Sequence, residues 1–479
     1  MSERGNVFPE QGQPREDIGR ALDALCADDL QVDGQAFAFV YDAGKEVKEV
    51  ARNAFARCMG GNGLDPTVYP SARRLENDIV GAALSHLRAP EGAVGTCTAG
   101  GTESVLLSVK TARDYAQKKN PELKNPQMLV PETAHACFHK GAHYFGVELV
   151  TVDVDPVTMR ASVEDMKSKI TDRTVLLVGS APSYAHGVVD PIVEIGELAL
   201  KHDILFHVDA CIGGWVLPFE REVGVAVPDF DFQVPGVTSI SVDLHKYAFA
   251  PKGVSVLLHR ERKIRDAQYF TCATWSGYSV INTSTLGSKS LAAMGAAWSI
   301  LRYLGRSGYR DLVKGMWEAT ETLVKGIRET PGVDVVSDPV MGLVAMVTED
   351  DGDIFELADR LTKAGFHVQP TYAYGRSPAH IHFTVDASNA PTVPALLKAI
   401  QTAVVDLPKM QEPPEPVVQM MNLIGSGAEG IDTGLVMREL GVVDGKLPEE
   451  QAMIHRLLNA ASPATREAIL VQFMGELFT

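Results

Sequence analysis

Cations, cysteines and long apolar runs are all scarce in this chain of 479 residues, and each scarcity excludes something. Lys and Arg number 44 against 61 Asp and Glu, a formal net charge of −17. A nucleic-acid surface needs clustered cations, so this balance argues against a nucleic-acid partner, while a local site for a small phosphorylated ligand stays compatible with it. The six cysteines (Cys26, Cys58, Cys97, Cys137, Cys211 and Cys272) lie far apart with no C-x-x-C pair. That spacing fits neither a zinc motif nor a disulfide framework. No apolar run approaches the ~20 residues that cross a bilayer. Met1 to Asp17 is polar and lacks the apolar core of a signal peptide. The expectation is a reduced, cytoplasmic setting with no membrane span. With 45% hydrophobic and 22% charged residues, the chain can bury a large core and divide into two or three domains.

From about residue 90 to 260, short apolar runs alternate with helical periodicity. Met128–Val130, Glu148–Val154, Val175–Val178, Ile204–Val208, Val237–Val242 and Val254–His259 read as strands. Val105–Gln117, Ser162–Ile170 and Ile192–His202 read as helices between them. Such alternation predicts βαβ units and a mostly parallel sheet, with ligands at the carboxyl ends of its strands. Before it come amphipathic stretches near Ile18–Leu25 and Glu46–Cys58, the aromatic cluster Phe37-Ala-Phe-Val-Tyr41, and a helix over Arg73–Val80 with Ser71 as its expected cap. After it come two long helices, Leu291–Arg306 and Arg310–Glu329, then a smaller α+β pattern. Pro408, Pro413, Pro414 and Pro416 mark a linker, and the tail reads as helical, with Ser462-Pro463 starting the last helix. The expected division is an N-terminal segment 1–58, a large domain 59–300, a small C-terminal domain 301–405 and a helical extension 406–479.

Three stretches carry chemistry. Thr98-Ala-Gly-Gly-Thr-Glu-Ser104 is a glycine-rich turn opening a helix, which suits an anion, although a plain structural turn has the same look. Phe206-His-Val-Asp209 is a buried strand ending in an acid that needs a cationic partner, in a salt bridge or on a protonated pyridine nitrogen. Ser239-Ile-Ser-Val-Asp-Leu-His-Lys246 ends a strand in a lysine whose pKa desolvation should lower, suiting it to a Schiff base with a carbonyl cofactor, although a surface turn lysine has the same look. Together they supply grips for the phosphate, the ring nitrogen and the aldehyde of pyridoxal phosphate.

These stretches, with Thr133-Ala-His135-Ala-Cys-Phe138, resemble the fold-type I pyridoxal-phosphate enzymes of the group II decarboxylase superfamily. The second lysine in His245-Lys-Tyr-Ala-Phe-Ala-Pro-Lys252-Gly, together with His186-Gly-Val-Val-Asp-Pro191, is similar to the sphingosine-1-phosphate lyases within it. The resemblance implies an aspartate aminotransferase-like α/β fold: a large domain with a mainly parallel seven-stranded sheet, plus a small α+β domain, in a homodimer with shared sites. It implies that Lys246 carries the cofactor, Asp209 pairs with the ring nitrogen and His135 stacks on the ring. Gly101, Thr102 and His245 then hold the phosphate, joined by Ser288 of the neighbouring subunit. Tyr41 and Lys252 match substrate-side positions and are the expected bases for a β-hydroxyl proton. The implied activity is retro-aldol cleavage of a phosphorylated long-chain base to an aldehyde and phosphoethanolamine, with an amino-acid decarboxylase on the same scaffold as the alternative. Three positions depart from the lyase pattern: Asp65 replaces a histidine, Val280 a tyrosine and Lys289 an arginine, so the cofactor site matches better than the substrate pocket.

Other histidines admit blander readings. His135, His139 and His143 would share one face of a helix, and His380 and His382 one face of a strand, but neither set is expected to hold metal. Cys211 reads as a small wall residue near the cofactor.

Overall fold

The computed structural model describes residues 9–30, 34–415, 418–419, 448 and 450–478. Its centre is a seven-stranded sheet: β1 (Val94–Thr98), β2 (Gln127–Pro131), β3 (Glu148–Val152), β4 (Thr174–Ser180), β5 (Leu205–Asp209), β6 (Ser239–Asp243) and β7 (Ser255–His259), ordered β1-β7-β6-β5-β4-β2-β3. Pairings from β3 across to β6 are parallel, whereas β7 runs antiparallel to both β6 and β1. β4, β6 and β7 are buried along their whole length, as continuous runs such as Leu-Leu-Val-Gly and Val-Leu-Leu require when both faces are covered. The sequence pattern anticipated β2 to β7. It missed β1, whose residues Val-Gly-Thr-Cys-Thr carry little apolar signal.

Helix boundaries follow local chemistry. The helix expected from Arg73 runs from Pro70 to His86, and Ser71 lies inside it instead of capping it. Pro70 explains the correction, because its fixed φ and missing N–H suit the first helical position. The two long helices expected around residues 291–329 form one kinked element, Ala292–Arg328, broken at Gly305, where φ is 56°. Only glycine adopts that geometry without strain.

A second, antiparallel sheet joins β10 (Val333–Val335), β11 (Leu343–Thr348), β13 (His380–Thr384) and β12 (Gln369–Thr371) in that order; β8 (Phe270–Cys272) and β9 (Val280–Asn282) form a separate hairpin. The N-terminal aromatic cluster docks on the small sheet: Ala36 bridges to His367, and the buried ring of Phe37 packs on Phe366 and Phe383. This docking carries Phe39 and Tyr41 to the cavity between the two sheets. In the tail, Ser462 caps a helix over Pro463–Leu477 by accepting from the Thr465 amide, as its sequence predicts. A preceding helix, Ala452–Ala460, is held by the Asp359 carboxylate, which accepts from the Gln451 and Ala452 amides. Pro416 lies outside the described residues.

Candidate active site

Parallel strands open their carboxyl ends toward one edge of the sheet, and there three polar residues end neighbouring strands: Ser180 on β4, Asp209 on β5 and Asp243 on β6. The register pairs Ser180 with Asp209 and sets Ser255 opposite both Asp243 and Thr98. The turn after β1 and the turn after β6 therefore meet. Between them lies a cavity of about 740 Å³ lined by Gly101, Thr102, His135, Asp209, His245 and Lys246, together with Tyr41 and Lys252. Eight sequence-predicted residues thus share one chamber.

Asp209 is buried (8% exposed), and its Oδ1 accepts from the Cys211 amide at 3.0 Å and the Ser241 hydroxyl at 3.4 Å. Burial works against its charge, but His135, the hydrogen bonds of Cys211 and the nearby His207 outweigh burial and hold the carboxyl below its ordinary range. His135 lies just before the helix Cys137–Phe145, so it does not share a helical face with His139 and His143. Its Nδ1 accepts from the Cys137 amide at 3.1 Å, which fixes the ring's orientation. Among the described residues no cluster of His, Cys, Asp and Glu has metal-site geometry.

Lys246 sits three residues beyond the end of β6, in the turn that reverses the chain into β7. Its Nζ is 3.0 Å from Asp243 Oδ2. Burial is the largest single influence and would lower its pKa, as expected from the sequence, but Asp243 foremost, with Cys211, Tyr41 and Asp209, outweighs burial and raises it. Here the expectation is corrected: a partner three residues upstream keeps the amine protonated. His245 presents a buried Nδ1 with no hydrogen-bond partner, the kind of orphaned group that a bound phosphate satisfies. Gly101 starts the helix Gly101–Lys119 with its backbone pressed onto Asp243 and Cys211, leaving no room for a Cβ. The turn, the orphaned imidazole, the carboxylate of Asp209 and the lysine together fit pyridoxal phosphate.

Lys252 donates to the His245 carbonyl at 3.2 Å and holds its ammonium 4.8 Å from the centre of the Tyr41 ring. Burial, and then the charge of Lys246, push its pKa down. Burial drives the Tyr41 hydroxyl the other way, well above its usual value.

Ser288, Asp65, Val280 and Lys289 do not line this chamber. Ser288 accepts from Asn62 at 3.4 Å, and Lys289 pairs with both Glu76 oxygens at 3.3 Å. Asp65 is fully exposed and accepts from the Thr67 amide and hydroxyl, which hold its pKa down. Several cavity residues escaped the sequence reading, Ser180, Asp243, Tyr184 and Gln369 among them. Tyr184 donates to Gln369 Oε1 at 2.7 Å across the seam between the sheets and stacks on His382 at 4.3 Å. No local pattern announces a pair 185 residues apart. His382 and His380 are buried packing residues at that seam, the latter beside His186.

A family model described as the pyridoxal-dependent decarboxylase conserved domain matches residues 8–348, and one for the C-terminal HTH domain of pyridoxal-dependent enzymes matches 414–476. The chain is 36% identical over 383 residues to a sphingosine-1-phosphate lyase of Dictyostelium discoideum, covering 80% of this chain and 71% of that one. It is 34% identical to sphingosine-1-phosphate lyase 1 of Rattus norvegicus, covering 90% and 75%. Among solved structures, a Burkholderia pseudomallei sphingosine-1-phosphate lyase superposes with a TM-score of 0.79 at 31% identity, covering 84% of this chain and 92% of that one. The chain belongs to the pyridoxal-dependent decarboxylase family, as a pyridoxal phosphate-dependent lyase. Within that family it falls on the sphingosine-1-phosphate lyase-like branch.

Proposed function

We infer that this protein cleaves a phosphorylated long-chain amino alcohol, of which sphingosine phosphate is the model, into a long-chain aldehyde and phosphoethanolamine. One observation carries the reading furthest: Lys252 and Tyr41 stand together in the chamber that holds Lys246 and Asp209. When bound, pyridoxal phosphate supplies an electron sink for negative charge on the substrate's amine-bearing carbon. In this reading Lys246 anchors the cofactor, Asp209 holds the proton on its ring nitrogen, and His135 covers the ring face. Gly101, Thr102 and His245 grip its phosphate. Lys252, with its lowered pKa, takes the proton from the β-hydroxyl. The carbon–carbon bond then breaks, and the aldehyde leaves as the proton returns to the amine-bearing carbon. Tyr41, whose phenolate is disfavoured by burial, serves as a hydrogen-bond donor.

We further propose a homodimer with shared sites. Phe270, Trp275, Tyr278 and Ile281 are exposed on and around the β8–β9 hairpin, an apolar surface of the kind that subunit contacts cover. Ser288 would reach a second copy's cofactor phosphate. Six unpaired cysteines support the cytoplasmic, reducing setting. Among the described residues no helix is long and apolar enough to cross a membrane.

An amino-acid decarboxylase is the second reading, favoured by Asp65: an ionised carboxylate repels a phosphate head group and attracts a cationic one. Product analysis separates the two. Incubation with sphingosine phosphate should yield aldehyde and phosphoethanolamine. Carbon dioxide from an amino-acid panel, with no aldehyde, would overturn the lyase reading.

A further inference from the structure

Asp243 has no part in the roles assigned so far, yet it is the most tightly bracketed charge in the chamber. Its carboxylate is 2% exposed. Oδ1 is occupied by the Ser255 hydroxyl at 2.6 Å. Oδ2 faces Lys246 Nζ at 3.0 Å and His245 Nε2 at 3.5 Å. Above it lies the Gly101 backbone, so close that a Cβ there would meet the two carboxylate oxygens at 2.6 and 2.7 Å. A buried anion fixed on three sides needs a cation on the fourth, and Lys246 is the short one.

That contact creates a division of labour. Lys246 cannot be bonded to the cofactor aldehyde and remain a free ammonium on Asp243, so the two positions are alternatives for one nitrogen. We propose that Asp243 is a positioning residue that receives Lys246 as an ammonium whenever an incoming amine displaces it from the cofactor, and so favours exchange toward the substrate. The step balances. The incoming ammonium gives up two protons as its nitrogen replaces that of Lys246 on the same carbon, and Lys246 takes up two and leaves as an ammonium beside Asp243. Nothing is oxidised or reduced. Other titratable groups act on Lys246 without matching this contact: Tyr41 from the N-terminal segment, Asp209 and Cys211 after β5, Tyr184 after β4, and Lys252, whose like charge opposes it. The inference rests on cofactor attachment at Lys246 and not on which substrate bond is cleaved, so it stands or falls apart from the lyase reading.

The test measures occupancy of Lys246. Cofactor-loaded protein is equilibrated with increasing ethanolamine phosphate, then reduced with borohydride, and the Lys246 peptide is weighed for attached cofactor. In Asp243→Asn, the amine concentration that clears half of Lys246 should rise roughly ten- to a hundredfold, the worth of a charge-assisted hydrogen bond. Ser255→Ala keeps the carboxylate and should stay within threefold of the native midpoint. An unchanged midpoint in Asp243→Asn, or equal shifts in both variants, would reduce Asp243 to a structural bracket and overturn the proposal. A second measurement needs no variant. In cofactor-free native protein, acylation of Lys246 should reach its half-maximal rate at a higher pH than acylation of Lys252; the reverse order overturns the proposal as well.

Discussion

Alanine at Gly101 is the smallest change that tests whether the turn after β1 holds a phosphate. The added Cβ would meet Asp243 Oδ2 at 2.6 Å, Asp243 Oδ1 at 2.7 Å and Cys211 Sγ at 2.8 Å. None of these neighbours can yield easily. Asp243 is pinned by Ser255 and Lys246, and the Cys211 thiol is within 3.2 Å of the Ser241 hydroxyl. Overpacking of this kind costs about 1–3 kcal/mol. The backbone that the added Cβ would displace is the one that would grip the phosphate. The cost should therefore appear as weaker cofactor binding, by roughly five- to 150-fold. Titration of cofactor-free protein with pyridoxal phosphate, followed by visible absorbance, reads this directly. Pyridoxal, which lacks the phosphate, should lose less. Gly100→Ala is the matched comparison: its Cβ meets only His245 Cε1, at an ordinary 3.5 Å, and should weaken binding far less. Equal affinity for pyridoxal phosphate in native and Gly101→Ala protein would refute the assignment of this turn.

Asp65→His removes an exposed carboxylate and restores the lyase pattern, so kcat/KM for sphingosine phosphate should rise; no change would detach Asp65 from the substrate's phosphate end. Gly305→Ala forces a side chain into φ 56° and should lower unfolding stability by about 1–3 kcal/mol in urea melts, with the cofactor spectrum intact. Acid should weaken the fold well above the ordinary carboxylate range. Burial holds His86, His207 and His259 down to about 4, and His186 and His382 to about 3, so between pH 7 and 5.5 the unfolded chain takes up protons that the native state refuses. Each histidine then lowers stability by about 1.3 kcal/mol; Glu220, raised by burial to about 9, and Asp190, to about 6, oppose this by about 3 kcal/mol together. A net loss of about 3–4 kcal/mol should appear as a lower urea midpoint at pH 5.5, and a flat profile would contradict the buried neutral histidines.

Much of the candidate site was legible because its residues end strands or follow them closely. A strand that is apolar until an acid carries its own evidence of burial, as β5 does at Asp209; Lys246 stands three residues past β6, in the turn. The same logic, applied to the acid three residues before Lys246, points to Asp243 and would have reversed the expected direction of the lysine's pKa. Tyr184 and Gln369 were beyond such reasoning, since they meet only where the small sheet docks on the large one. Ser71 misled because a good capping residue followed a proline that claims the first helical position. β1 was invisible for the opposite reason: its alternating Gly, Thr and Cys offer little hydrophobic contrast, and its place is set by pairing with β7.

The antiparallel insertion of β7 is what makes the chamber possible. In an all-parallel sheet the turn after β6 would lead away into a crossover helix. Here the chain reverses at once, and β7 pairs with β6 on one side and β1 on the other, so Thr98, Ser255 and Asp243 come level. The glycine turn and the lysine turn thereby share one carboxylate, which lies beneath Gly101 and beside Lys246. Asp209, one strand further in, is left to face a different cation. Two buried acids on adjacent strands would repel one another if both stood unpartnered, and each has its own nearest partner: Lys246 at 3.0 Å for Asp243, and for Asp209 His135, joined in the lyase reading by the protonated ring nitrogen. The net charge of −17 is irrelevant to this arrangement, because charges on the outer surface are screened within about 10 Å while the groups in the chamber interact at contact distance.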